Sequence, residues 1–331
     1  MKPLSSQVAV VAGATRGAGR GIAQMLGEAG ATVYCTGRST RESGATPGRP
    51  ETIEETADLV TRAGGRGIAV RVDHTAEAEV IRLFDTIRAD AGRLDILVND
   101  VWGGDDLTEW GTPFWETDLG KGRRIIEAAV WSHILTARHA LPLMVERSSG
   151  LVVEITDGDF LGYRGSFFYD FAKAGGIRLA YALAAELRDT GITALALTPG
   201  FLRSEAMLAR FGVTEENWRE GAKVDPHFIE SETPFFVGRA VVALATDPEV
   251  RRKEGQVFAS WTLAREYGFT DIDGGTPDWG RYFEALTSEI AARGPQNDDE
   301  RFLLRMRAFQ LDFDPSITPE AQRLRGLLRA K

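Results

Sequence analysis

Hydrophobic and polar positions alternate between two patterns along roughly the first 260 residues of this chain. Short apolar runs, as expected of strands covered on both faces, occur at 7–12, 31–36, 66–72, 94–98, 151–156, 191–197 and 255–260. Between them, apolar residues recur at helical spacing over 19–29, 51–63, 76–91, 121–147, 167–189 and 236–247. Strand and helix in strict alternation predict an α/β fold, a doubly wound parallel sheet of about seven strands with helices on both faces. Ligands of such sheets lie at the carboxyl ends of the strands, where strand order reverses.

Two segments interrupt the alternation. Residues 37–50 are rich in Gly, Pro, Ser, Thr and Arg and read as a loop after the second strand. Residues 102–120 place Trp102, Trp110, Phe114 and Trp115 among glycines and acids, a plausible pocket wall. From about Asp273 the pattern is helical only, over 277–292, 299–310 and 318–330. The expected organisation is one domain over 1–272 and a helical extension over 273–331. That extension is too short for much core of its own, so it packs on the domain or on a partner subunit.

Composition narrows the function. With 331 residues and 43% hydrophobic content the chain can bury a full core. A net charge of −9 leaves no basic excess to neutralise nucleic acid or an acidic membrane. The arginines at 301, 305, 307, 323, 325 and 329 are spaced as solvated helix faces. Cys35, the single cysteine, excludes an intrachain disulfide and reads as a small buried hydrophobe, and no metal site is expected. The N-terminus shows no apolar signal segment, and no run reaches the ~18 apolar residues of a membrane span. The expectation is a soluble cytoplasmic protein that acts on a small molecule.

Candidate chemistry collects at the strand ends. The first strand, Val8 to Ala12, runs into Gly13-Ala14-Thr15-Arg16-Gly17-Ala18-Gly19 and then a helix. The glycines let backbone approach a ligand closely, and free N–H groups at a helix start suit a diphosphate. The second strand ends at Thr36-Gly37-Arg38-Ser39, without the acid that would bond a ribose 2′-hydroxyl. Arg38 and Arg16 instead suit the 2′-phosphate of NADP, so NADP(H) is favoured over NAD(H). Asp73, after the third strand, could accept from an adenine amino group or cap the next helix. His74 beside it reads as a surface loop histidine at the edge of that site. Asn99-Asp100 closes the fourth strand as a polar wall or a turn cap. After the fifth strand, Thr156 and Asp157 precede Tyr169-x-x-x-Lys173, whose spacing puts phenol and ammonium on one helix face. A nearby ammonium stabilises the phenolate and makes the tyrosine a usable acid or base. Pro199-Gly200 and Ser204, after the sixth strand, could hold a carboxamide.

This ordered set resembles the short-chain dehydrogenase/reductase family, over roughly residues 5–270. The pieces that match are Gly13-x-x-x-Gly17-x-Gly19, Asp73, Leu94-Asp95-Ile96-Leu97-Val98-Asn99, Tyr169-x-x-x-Lys173 and Pro199-Gly200. Phe114-Trp115-Glu116-Thr117, Val242 to Pro248 and Leu263-Ala264-Arg265-Glu266-Tyr267-Gly268 are similar to the branch of dehydrogenase/reductase SDR family member one. The resemblance implies a Rossmann-type sheet and hydride transfer between a nicotinamide and a carbonyl or alcohol carbon. Tyr169 would exchange the proton, and Lys173 would bond the nicotinamide ribose. Gly13 to Gly19 would hold the diphosphate, Asp73 the adenine, Asn99 the ribose side and Ser204 the carboxamide. A homodimer or homotetramer is implied as well.

Three departures stand out. The stretch after the fourth strand reads Asn99-Asp100-Val101-Trp102 where the family usually has Asn-Asn-Ala-Gly. No asparagine occurs over 121–147, where the family often carries one near the position of Ala129. The family's substrate-binding serine is replaced: strand register puts Asp157 there, and separation from Tyr169 would allow Thr156. An ionised Asp157 cannot donate to a carbonyl oxygen, and its charge would raise the Tyr169 pKa. A neutral, buried Asp157 would donate as the serine does. The expected function is therefore NADP(H)-dependent reduction of a fairly large apolar carbonyl substrate. The alternatives are reduction of an imine, iminium or amine-bearing substrate with Asp157 as counter-ion or acid, and a non-catalytic NADP-binding scaffold. Residues 201–233 are the expected substrate lid.

Overall fold

The computed structural model describes residues 2–44 and 48–313. The chain runs β1 (Val8–Ala12), α1 (Gly17–Glu28), β2 (Thr32–Gly37), α2 (Ile53–Ala63), β3 (Arg66–Arg71), α3 (Glu77–Ala91) and β4 (Ile96–Asn99). It continues through α4 (Leu119–Ile126), α5 (Ser132–Val145), β5 (Gly150–Ile155), α6 (Phe167–Glu186), β6 (Ile192–Thr198) and α7 (Glu205–Phe211). It closes with α8 (Pro234–Thr246), β7 (Val257–Ala259), α9 (Ser260–Tyr267), α10 (Trp279–Arg293) and α11 (Asp298–Phe313). The third helix expected in the extension, at 318–330, lies outside the described residues.

All seven strands form one parallel sheet in the order β3-β2-β1-β4-β5-β6-β7. The order reverses between β1 and β4, which pair from Ala9–Ile96 to Ala12–Asn99. The crevice that ligands of this architecture use therefore opens past Ala12 and Asn99. β1 explains why its run is apolar throughout. Ala9 and Val11 enter one core layer with Ile22, Leu26, Val237 and Leu244, from α1 and α8. Val8 and Val10 enter the opposite layer with Val80, Phe84 and Leu143, from α3 and α5. Successive side chains point to opposite faces, and each buried aliphatic contributes about 1.5–3 kcal/mol.

The expected helix over 121–147 is interrupted. A wide π turn at Glu127–Trp131 separates α4 from α5. Within and after it, Ser132 Oγ donates to Ala128 O at 2.5 Å and Thr136 Oγ1 to Ser132 O at 2.7 Å. Hydroxyls that bond back onto the ladder compete with regular helix bonding. The extension begins with α10 packing on the main domain: Phe283 and Ile290 are buried, and His227 Nδ1 lies 2.9 Å from Tyr282 Oη.

Candidate active site

The glycine turn is shaped by backbone packing. Gly13 has φ +91°, and a Cβ there would stand 2.4 Å from Asp100 O. A Cβ on Gly19 would stand 2.4 Å from Gly13 O and 2.8 Å from Asp100 Oδ2. The start of α1 carries no acid in its first turn and no side-chain cap. Instead Gly17 N donates to Glu205 Oε2 at 2.8 Å, a carboxylate reaching across from α7. The Gly17 N–H is thus already aimed at an anion, as a diphosphate requires, while Gly13 N and Ala14 N are taken up by Thr36 O. Ala18 is buried, and Thr15 lies under the end of β2, where its Oγ1 would be 2.6 Å from a Cβ on Gly37.

Beside this turn stand the cations. Arg16 Nε is buried without a hydrogen-bond partner and lies 3.5 Å from Glu51 Oε2. Burial lowers the Arg16 pKa, and Glu51 opposes that shift. Arg49 Nη2 also bonds Glu51, at 2.7 Å. Arg38 is half exposed, 4.0 Å from Asp73 Oδ2, and Ser39 is buried next to it. An orphaned guanidinium nitrogen beside a glycine turn fits a phosphorylated nucleotide. Asp73 is partly committed: its Oδ1 accepts from Thr75 N at 3.0 Å and Thr75 Oγ1 at 2.7 Å.

Tyr169 and Lys173 lie one turn apart on α6, past the end of β5. Tyr169 Oη donates to Asp157 Oδ2 at 2.6 Å. Asp157 thus faces the phenol. Thr156 Oγ1 donates to Lys173 O at 2.7 Å and is turned away from it. The phenol pKa is raised well above 10.0 by burial, then by the charge of Asp157 and its hydrogen bond. Burial pulls the Lys173 ammonium down, while the carboxylates of Asp157, Asp100 and Asp105 oppose this. Trp102 covers Lys173, whose Nζ is 4.2 Å from the ring centroid. Trp102 and Trp110 pack against the Tyr169 ring at 5.3 and 5.0 Å between centroids. Trp102 is itself anchored by Nε1 donating to Asp105 Oδ1 at 2.6 Å. Asp100 is buried against the glycine turn, and burial pushes its carboxyl up to about 7.

Beneath the site runs a buried polar network. Asn99 Nδ2 donates to Glu154 Oε1 at 2.7 Å, and Glu154 Oε2 is 2.7 Å from His133 Nδ1. His133 Nε2 reaches Val101 O at 3.1 Å, tying the network to the segment that carries Trp102. Asn99 Oδ1 has no partner. His74 is a correction. Expected on the surface, it is 3% exposed, with its ring nitrogens 2.8 Å from Thr36 Oγ1 and Thr136 Oγ1. Burial lowers its pKa to about 3, so it is a neutral strut between β2 and α5. Its place directly after a strand gave no sign of burial, because α5 covers it from a distant part of the chain.

Sequence reasoning missed Arg164. This buried guanidinium donates to Asp157 O, Phe160 O, Gly162 O and Asp170 Oδ1 at 2.5–3.1 Å. It staples the loop from Asp157 to Ser166 into the shape that aims Asp157 at Tyr169. Its only sequence signal is a lone arginine in a glycine-rich stretch. Glu232 was missed too. Its Oε2 accepts from Gly200 N at 2.8 Å and Ser260 Oγ at 2.5 Å, while Oε1 is buried without a partner. It pins the Pro199-Gly200 turn against the end of the 201–233 segment. Ser204 Oγ caps α7 by accepting from Met207 N at 3.3 Å.

This sheet, glycine turn and Tyr-Lys helix define an oxidoreductase of the nicotinamide-dependent α/β class, and the comparisons agree. The short chain dehydrogenase family model matches residues 7–212, so the chain belongs to the short-chain dehydrogenase/reductase family. Members use NAD(P)(H) and act on small molecules. Within it, the chain is similar to dehydrogenase/reductase SDR family member 1 of Mus musculus, 38% identical over 277 residues, covering 82% of this chain and 85% of that protein. The Homo sapiens protein is 36% identical over 282 residues, with the same coverage of 82% and 85%. A putative dehydrogenase from Xanthomonas campestris shares the fold, with TM-score 0.68, 24% identity and coverage of 83% and 95%. Among the described residues no helix is long and apolar enough to cross a membrane.

Proposed function

We propose that this protein is an NADP(H)-dependent reductase, acting on a fairly large and mostly apolar substrate with a polarised double bond to oxygen or nitrogen, or on the alcohol or amine it yields. The observation that carries the reading is the buried Tyr169 hydroxyl at the carboxyl edge of β5, with Lys173 one turn on. A phenol keeps its proton at neutral pH, the form that a reduction consumes, although burial and the Asp157 charge, by raising its pKa, make it a weaker acid. Tyr169 therefore protonates the substrate oxygen, and Lys173 supplies positive charge beside it. When bound, the cofactor supplies the hydride. Backbone from Gly13 to Gly19 would hold its diphosphate, Arg16, Arg38 and Ser39 its 2′-phosphate, Lys173 its ribose side, and Pro199, Gly200 and Ser204 its carboxamide. Asn99, expected at the ribose side, is instead fully buried and bonded to Glu154, where it supports the end of β4. The absence of an acid between Thr36 and Thr40 supports NADP over NAD. The described residues from 273 to 313 form an extension that meets the 201–233 segment through α10, where Tyr282 Oη lies 2.9 Å from His227 Nδ1.

Fluorescence titration with NADPH and NADH, followed by turnover of Tyr169→Phe on a bicyclic ketone, tests this reading. Tight NADPH binding and loss of turnover are expected. Failure to bind either cofactor, or full activity of the variant, rejects it.

A further inference from the structure

Resting on that reading of Tyr169 and Lys173, we propose that the substrate class this site favours is a protonated C=N compound, an iminium, over a neutral ketone. The site offers a ketone too few hydrogen-bond donors. A carbonyl oxygen about to become an alkoxide is best met by two hydrogen-bond donors. Tyr169 is one, but its Oη is directed at Asp157 Oδ2, 2.6 Å away. The group across from the phenol is therefore a carboxylate, which accepts only. A ketone oxygen placed between them meets one donor and one negative charge, and the charge it develops is repelled. An iminium brings its own N–H donor and a positive charge, and Asp157 accepts both.

A second observation is independent of the carboxylate. Trp102 and Trp110 both pack against the Tyr169 ring, with centroids 5.3 and 5.0 Å away. Trp102 already holds one cation on its face, the Lys173 ammonium at 4.2 Å. Indole faces attract cations once water is excluded. Arg164 fixes the Asp157 backbone through Asp157 O at 2.5 Å, so the carboxylate is held in place for this role.

The chemistry balances with what the family supplies. The imine carbon gains a C–H bond, accepting hydride with both electrons from the reduced nicotinamide. The C=N π pair settles on nitrogen, which keeps its proton and becomes a neutral amine, while the nicotinamide leaves oxidised. Asp157 binds the cation and keeps it protonated, so its removal acts on affinity first.

The test compares a protonated methyl-dihydroisoquinoline with tetralone, a neutral ketone of similar bicyclic size. Binding of each is read by quenching of tryptophan fluorescence, and turnover by NADPH absorbance. Wild type binds the iminium at least tenfold more tightly, and Asp157→Asn, of equal size but neutral, removes most of that preference. Asp157→Ser raises kcat/KM for tetralone at least tenfold and lowers it for the iminium. Equal affinities in wild type, or an unchanged ratio in Asp157→Asn, overturn the proposal. The affinity ratio decides it whether or not either probe is turned over. If NADPH fails to bind, or Tyr169→Phe retains full turnover of tetralone, the reductase reading falls instead.

Discussion

At the scale of single residues, the Asp157–Tyr169 contact separates this site from a plain carbonyl reductase. The phenol is the group on which turnover depends, so Tyr169→Phe should lower NADPH-coupled ketone reduction by about 100-fold or more, within the range for a positioned acid. The fold should be unchanged, as circular dichroism would show. Under the proposed function, Arg38 would govern cofactor choice. A hydrogen bond to a charged group is worth roughly 1.5–3 kcal/mol, which corresponds to about 10- to 100-fold in affinity. Arg38→Ala should weaken NADPH by that factor and leave NADH unaltered in parallel titrations. Equal weakening of both would place Arg38 outside the 2′-phosphate site. Arg38, Tyr169, Lys173 and Asp157 were readable from sequence because each follows a strand end that the hydrophobic pattern locates. Arg164, Glu232 and Glu205 were not. Each acts through contacts with distant chain or with loop carbonyls, which no local spacing encodes.

Among elements, the glycine turn with α1 shows packing overruling propensity. Alanine at position 19 would gain about 1 kcal/mol in helix propensity over glycine. Its Cβ, however, would stand 2.4 Å from Gly13 O, a backbone atom that cannot rotate away. Overpacking of this kind costs about 1–3 kcal/mol or more, so Gly19→Ala should melt several degrees lower and lose nicotinamide binding. A melting temperature at or above wild type would contradict this packing. The same element scale explains what the sequence left hidden. Seven strands and their helices were legible because burial on both faces of the sheet writes continuous apolar runs. The π turn at Glu127–Trp131 was hidden because its residues keep helical character while hydrogen bonding shifts by one place. α7 and α9, of 7 and 8 residues, are too short for a periodicity to register. The loop from Asp157 to Ser166 is an element only because of Arg164. Arg164→Met would leave three carbonyls and the Asp170 carboxylate short of a donor, lowering stability by about 3–5 kcal/mol in urea melts. Arg164→Lys should restore part of the loss, because one of the four acceptors regains a charge.

For the molecule as a whole, buried acids set how stability follows pH. Glu232 is fully buried at the junction of β6, the lid and α9, and burial pushes its carboxyl up to about 8. Ser260 Oγ and Gly200 N bond it, Arg203 pulls its pKa down and Asp271 pushes it up. Asp100, behind the glycine turn, is raised to about 7. For both, the native pKa exceeds the unfolded value, so the native state binds more protons. Their stabilising effect is complete below the unfolded carboxylate range, declines as pH rises and is lost above about 8 for Glu232 and about 7 for Asp100. His74 has the opposite sign. Its native pKa near 3 lies below the unfolded value, so stability is lost as pH falls below 6.5. Each raised acid contributes a slope of roughly 1.4 kcal/mol per pH unit between its unfolded and native pKa values. The melting temperature of wild type should therefore fall from pH 6.5 to pH 8, where Glu232 acts throughout, Asp100 acts only up to about pH 7 and His74 does not act. Glu232→Gln keeps an acceptor for Gly200 N and cannot ionise. It should flatten that decline by a few degrees and leave the acid limb set by His74 in place. A variant that tracks wild type across the same range would show that Glu232 does not ionise on unfolding within it.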